Sequence, residues 1–154
     1  MPTDTIASRL KTLGIELPPV VSPAAAYVMA VSSDSNVFLS GHIAKQNGKP
    51  WVGKLGLDMD TASGKVAARS IAIDLMATMQ AHLGSLDRVK RIVKVMGLVN
   101  STDIFTEQHL VINGCSELLF EVFGEAGKHA RSAFGVTQIP LGACVEIELI
   151  AEIE

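Results

Sequence analysis

In residues 143–153 every odd position is apolar, and glutamates stand at 146, 148 and 152. A period of two over this length predicts a β-strand with one face buried and one face polar. Such a strand needs hydrogen-bonding neighbours on both sides and a layer over its apolar face. The rest of the chain supplies both. Tyr27 to Ser32 and Val37 to Gly41 read as strands joined by the turn residues Ser33-Asp34-Ser35-Asn36, a hairpin. Val66 to Leu83 carries Ala68, Ile71, Ala72, Leu75, Met79 and Leu83 at helical spacing and stops at Gly84. Arg88 to Val99 is rich in β-branched residues, and Phe105 to Phe123 is a second amphipathic helix with Leu110, Leu118 and Val122 on its apolar side. The order ββ-α-β-α-ββ predicts an α+β fold, with both main helices on one face of a mixed sheet. The Val, Ile, Met and Ala content of the strands suits a second layer of partner strands on the other face.

The whole chain, 1–154, is expected to be one domain, a length that sustains a single core. Residues 1–19 form a helical leader on it: Thr3 or Asp4 caps a short helix bearing Ile6, Leu10 and Leu13, ended by Gly14 and Pro18-Pro19. Residues 46–64 read as loop with a short strand. No stretch has the apolar length of a membrane span, and Met1-Pro2-Thr3-Asp4-Thr5 lacks the basic start and apolar core of a secretory signal. Cys115 and Cys144 have neither metal-ligand nor disulfide-framework spacing, so they read as packing residues in a cytoplasmic protein. His42, His82, His109 and His129 never pair at helical ligand spacing, so no metal and no other cofactor is expected. A net charge of −3 argues against a nucleic-acid partner, which calls for a basic stripe.

Basic residues are few, 13 against 16 acidic ones, so Arg131 in Gly127-Lys128-His129-Ala130-Arg131-Ser132 stands out, a dozen residues ahead of the glutamate-bearing strand. A planar guanidinium grips a carboxylate through two parallel hydrogen bonds, and a glutamate in the same cleft could hold or activate a water. The pair would suit a small carboxylate with a hydrolysable centre. Alternatively, Arg131 is a surface ion-pair partner and Glu146 a solvated strand position.

Arg131-Ser132, Ile139-Pro140 and Val145-Glu146-Ile147-Glu148 together resemble the C-terminal signature of the Rid family, also called YjgF-like or endoribonuclease L-PSP-like. Tyr27 ahead of a strand ending Ser40-Gly41 is similar to the family's N-terminal pattern, and the likeness covers roughly residues 20 to 153. Asn113-Gly114-Cys115-Ser116, Phe123-Gly124-Glu125 and His129-Ala130-Arg131-Ser132 resemble one subgroup. The resemblance implies a chorismate-mutase-like fold, a homotrimer with ligand clefts between subunits, and hydrolytic deamination of 2-enamine or 2-imine acids to 2-keto acids. It implies Arg131 as the substrate-carboxylate anchor and Glu146 as the holder of the attacking water. Tyr27, Ser40, Gly41, Asn113, His129 and Ser132 would line the substrate. Each has a plainer alternative: a Tyr hydroxyl seeking one partner, a strand-end glycine, an asparagine bracing its own helix, or a histidine at a helix end. Ala133 stands where many deaminases of the family carry cysteine, which removes any thiol role. A non-catalytic carboxylate-binding trimer is the alternative function. A ribonuclease, the family's older name, fits poorly with an acidic chain holding one Trp.

Overall fold

The computed structural model describes residues 4–154, so Thr3 as a cap lies outside the described residues. The chain orders as helix α1 (Ile6–Thr12), strands β1 (Ala30–Ser33), β2 (Asn36–Ile43), β3 (Lys45–Gln46) and β4 (Lys49–Pro50), then helix α2 (Thr61–Leu83). Strand β5 (Val89–Asn100), helix α3 (Gln108–Phe123), strand β6 (Ala130–Val136) and strand β7 (Val145–Ile153) follow. Five strands make one sheet in the order β1-β2-β7-β5-β6; only the β5–β6 pair is parallel. It is the expected α+β arrangement of a mixed sheet with helices on one face.

β7 sits at the sheet centre, and its burial follows its sequence. Val145, Ile147, Leu149, Ala151 and Ile153 lie buried beneath the helix layer. Ala68, Ile71, Ala72, Leu75 and Met79 of α2 are fully buried in the same core. α2 begins five residues before the apolar stripe because Asp60 caps it, accepting from Ser63 N at 2.8 Å. α3 begins at Gln108, not Phe105, since Gln108 Nε2 turns back to donate to Phe105 O at 2.8 Å. Its inward face is Val111, Ile112, Cys115, Leu118, Leu119 and Val122; Leu110, expected inside, is 37% exposed. α2 and α3 touch backbone to backbone at Gly114, where a Cβ would lie 2.0 Å from Lys65 O. Only glycine permits that approach. In the leader, Thr5 caps α1, accepting from Ser8 N, while Asp4 pairs with Arg9 at 3.0 Å. Leu10 of α1 joins the main core, and Arg9 Nη1 donates to Val122 O at 2.9 Å.

The hairpin corrects one expectation. β1 starts at Ala30, so Tyr27 precedes the strand and is 55% exposed. The β1–β2 pairing ends at Ala30 and Leu39, where the register of β2 against β7 also shifts, between Leu39 and His42.

Among the described residues nothing covers the sheet's other face. Val31, Phe38, Ile150 and Lys94 lie across it in one register row, and Glu148, Met96 and Ser132 in the next. Val31 is 51% exposed, and Phe38 and Phe134 are each 44% exposed.

Candidate functional site

Register decides where the expected site residues go. Arg131 pairs with Val95, which is fully buried on the helix side, so the arginine reaches over α3. Glu146 pairs with Leu98 and Ile43 and lies with them on the open face. Arg131 stands on edge strand β6 and Glu146 on the central strand β7. Two strand spacings, about 10 Å, separate β7 from β6, and the two side chains leave opposite faces of the sheet. Within one chain, therefore, the two do not share a cleft. Sequence cannot reveal this, because the faces depend on pairing partners far along the chain.

The Arg131 cleft, about 420 Å³, is lined by Asn113, Ser116 and Phe120 of α3 and by Lys128, His129 and Arg131. Arg131 Nη1 donates to Asn113 Oδ1 at 2.8 Å and to Ser116 Oγ at 3.2 Å, and Nη2 donates to His109 O at 3.4 Å. No carboxylate among the described residues pairs with it. The surface ion pair offered as an alternative is thus not what holds this arginine. Of its five N–H donors, three have neutral protein acceptors. Nε–H and one Nη2–H remain, and these nitrogens flank one edge of the guanidinium. Asn113 spends its carbonyl on the arginine. His129 bonds Gly127 O through Nδ1 at 2.7 Å and Ser116 Oγ through Nε2 at 2.9 Å. Burial, chiefly, holds its imidazole below the ordinary value; the Gly127 carbonyl opposes this and the Arg131 charge reinforces it.

The second cleft, about 380 Å³, opens at the stretch of β2 that β1 leaves unpaired. Tyr27, Gly41, His42, Lys45, Asp74 and Glu146 are among its walls. Gly41 lies against Glu146: a Cβ there would stand 3.0 Å from Cδ and 3.2 Å from Oε2. Burial, with the charge of Glu148, holds the Glu146 carboxyl above the usual range. A raised carboxyl is a stronger proton acceptor than an ordinary glutamate once ionised, which suits a general base. Ser40 does not face the cleft as expected. Its Oγ donates to Val28 O at 2.6 Å, its N–H donates to Met29 O at 2.8 Å, and its carbonyl accepts from His42 Nδ1 at 2.6 Å. Ser40 braces the segment that carries Tyr27. Ser132, also expected at the site, lies on the sheet face opposite Arg131 and accepts from Lys94 Nζ at 3.1 Å. A strand neighbour must point the other way.

Sequence reading passed over Asp74, although it is the one acidic residue of α2 and interrupts the apolar run from Ile71 to Met76. Burial raises its carboxyl, opposed by nearby Lys45. His42 lines the same cleft: burial lowers its affinity for a proton, opposed by its bond to the Ser40 carbonyl, and Nε2 accepts from Thr78 Oγ1 at 2.8 Å. Cys115 is buried and its thiol is pushed up to about 12, so it packs and does not react. Among the described residues no group of three or more His, Cys, Asp or Glu side chains is placed to hold a metal ion, and no helix is long and apolar enough to cross a membrane.

Comparison with known proteins places the whole arrangement. Residues 7–153 match the family model described as "YjgF/chorismate mutase-like, putative endoribonuclease", so the match takes in most of α1 and extends beyond the span expected from sequence. Protein TCP17 of Trypanosoma cruzi is 45% identical over 150 residues, covering 96% of this chain and 94% of that protein. The crystal structure of Atu1372 from Agrobacterium tumefaciens superimposes with a TM-score of 0.90 at 42% identity, over 99% of this chain and 95% of that one. TdcF of E. coli, crystallised with bound serine, matches with a TM-score of 0.59 at 26% identity, over 89% and 93% of the two chains.

Proposed function

Because the chain belongs to the YjgF/chorismate mutase-like family, we propose that it hydrolyses reactive 2-enamine or 2-imine acids to 2-keto acids and ammonia. The observation that carries this reading is the Arg131 guanidinium, which lines a cleft, has no acidic partner among the described residues and keeps two donors without a protein acceptor. A cation left uncompensated at a cleft favours a carboxylate ligand, held in two charge-assisted bonds.

Glu146 supplies the second half. Its carboxylate holds the water that attacks the imine carbon and takes that water's proton. Glu146 passes that proton to the imine nitrogen, giving the carbinolamine; its hydroxyl proton then moves to nitrogen as the C–N bond breaks, and the 2-keto acid and ammonia depart. Arg131 and Glu146 of one chain lie on opposite faces of the sheet, so the complete site forms between copies, one giving the Arg131 cleft and the next the Glu146 cleft. The uncovered apolar sheet face supports a homotrimer with three such sites. Gly41 keeps Glu146 accessible, Tyr27 closes over the ligand, and Asn113 and His129 hold the arginine side. The reaction needs no cofactor, and we assign the protein to the cytoplasm, as one domain of residues 1–154 with its leader at 1–19 and the His129-Ala130-Arg131-Ser132 motif marking its subgroup.

Serine in the TdcF structure favours a second reading, a non-catalytic trimer that binds small carboxylates. The two part at Glu146. Release of 2-keto acid from freshly generated 2-aminoacrylate and longer 2-imino acids is the test. Acceleration that vanishes in Arg131→Ala is expected. No acceleration across the set leaves the binding module standing instead.

A further inference from the structure

The Arg131 cleft contains a pair of side chains that the deamination scheme above does not use for chemistry. His129 Nδ1 lies 2.7 Å from the Gly127 carbonyl, which only accepts, so Nδ1 carries the hydrogen. That fixes Nε2 of the neutral ring as an acceptor, and it takes the Ser116 hydroxyl proton at 2.9 Å. Ser116 Oγ in turn accepts from Arg131 Nη1 at 3.2 Å. The direction of every bond in the chain Gly127–His129–Ser116–Arg131 is thereby set, and both Ser116 and His129 reach the cleft wall.

Charges around His129 come from every side. Arg131 stands on β6, which starts at the next residue, and Lys128 precedes it. Arg91 of β5 shares a flanking cleft with it, as does Glu152 of β7, whose carboxylate is paired with Lys90 at 3.4 Å. Lys128 is paired with Glu125 at 3.2 Å. α3 contributes only neutral groups to this wall, Asn113, Ser116 and Phe120. The excess is positive, and Arg131, two bonds away through Ser116, has no carboxylate to offset it. An anion arriving on Arg131 changes that balance.

We propose that His129 and Ser116 form a proton relay into the Arg131 cleft, charged when the ligand's anionic group neutralises the guanidinium. It rests on the reading of Arg131 as a carboxylate anchor. In the empty cleft His129 stays neutral and Ser116 orients the arginine. With a carboxylate bound, Nε2 takes up a proton and donates it to Ser116 Oγ, whose own proton passes to the substrate nitrogen as hydroxide adds to the imine carbon. With the relay supplying that first proton, the one that Glu146 took from water goes to the same nitrogen as the C–N bond breaks. The carbinolamine hydroxyl proton refills the relay, so ammonia and the keto acid leave with all protons accounted for. The relay acts only on an anionic substrate, which makes the cleft selective for acids over neutral imines.

The test follows the His129 ring by NMR through a pH titration, with assignment from His129→Gln and 2-oxobutyrate as the probe. Saturating 2-oxobutyrate is expected to raise the His129 midpoint by on the order of half to one unit, the effect of cancelling one nearby charge. Arg131→Gln is expected to raise it similarly with no ligand present and to abolish the ligand's effect. A midpoint that stays put in both arms, with 2-oxobutyrate shown to bind by its own line broadening, overturns the relay and leaves the anchor intact. Failure of 2-oxobutyrate to bind the wild type at all removes the anchor, and with it the relay. In turnover of 2-aminoacrylate, Ser116→Ala should lower kcat at least tenfold with little change in KM, and Ser116→Thr, which keeps the hydroxyl, should restore it. Equal kcat in Ser116→Ala and wild type sinks the relay.

Discussion

Replacing Arg131 with lysine separates the shape of the guanidinium from its charge. The arginine spends three of its five donors on Asn113 Oδ1, Ser116 Oγ and His109 O. Two are left for a ligand. A lysine in the same place has three donors in all. Satisfying Asn113 and Ser116 leaves it one, so a bound carboxylate loses one charge-assisted hydrogen bond while the positive charge stays. Such a bond is worth about 1.5–3 kcal/mol, which corresponds to a roughly 10- to 150-fold weaker Kd. Arg131→Ala removes both bonds and the charge, and should weaken binding more than ~100-fold. Neither change should unfold the protein, because Asn113 and Ser116 sit at a cleft where water replaces the lost donor. Their stability cost is expected to stay within about 1 kcal/mol, a Tm change of about 3 °C for a chain of this size. The assay is calorimetric titration with 2-oxobutyrate, with thermal melts as the control. An Arg131→Lys protein that binds within threefold of wild type would show that the fork is not the recognition element.

Glu146→Gln should cut turnover about 100-fold or more while 2-oxobutyrate binding stays within a few-fold, as read by parallel kinetic and binding titrations; equal losses in both would make Glu146 a ligand contact and not a base. The Glu146 carboxyl is raised in the folded chain, so its ionised form costs stability as pH climbs above the ordinary 4.5. The Gln variant should accordingly melt slightly higher than wild type at pH 7 and no higher near pH 4. His42 behaves oppositely. Its folded affinity for a proton is depressed, so the stability it contributes is present above about 6.5 and is lost as pH falls below it. His42→Gln should flatten that part of the stability–pH curve, and an unchanged slope would mean that other histidines set it. Gly114→Ala places a Cβ 2.0 Å from Lys65 O and forces α2 and α3 apart by about 1 Å or more. Overpacking a helix crossing at backbone level should cost ~3 kcal/mol or more, lowering Tm by about 10 °C; a urea midpoint close to wild type would mean the crossing is looser than it looks.

Much of this protein is written locally in its sequence. The alternation from Val145 to Ile153 determines a central half-buried strand, because period two admits only one way to bury Val145, Ile147 and Leu149 together. The helical stripe of α2 and the turn at Ser33–Asn36 are equally local, and so is the choice of Arg131 as a cation that stands apart. Boundaries were legible to within a few residues. They moved where a side chain intervened: Asp60 extended α2 upstream and Gln108 shortened α3, while Tyr27 fell outside a hairpin whose pairing starts at Ala30.

The composition of the site was decided by tertiary structure. Arg131 and Ser132 are adjacent in sequence, yet strand geometry sends one over α3 and the other to the opposite face. Which face each takes depends on β6 pairing parallel to β5 with Arg131 beside Val95. Ser40 was matched by motif, but its hydrogen bonds are used to hold residues 28 and 29. Asp74 and Ser116 gained importance only once α2 and α3 lay beside the two clefts. Local periodicity fixes which way a side chain faces within its own element. The neighbours it meets depend on pairings between strands 40 or more residues apart, such as β5 with β7, and those are settled by packing of the whole core.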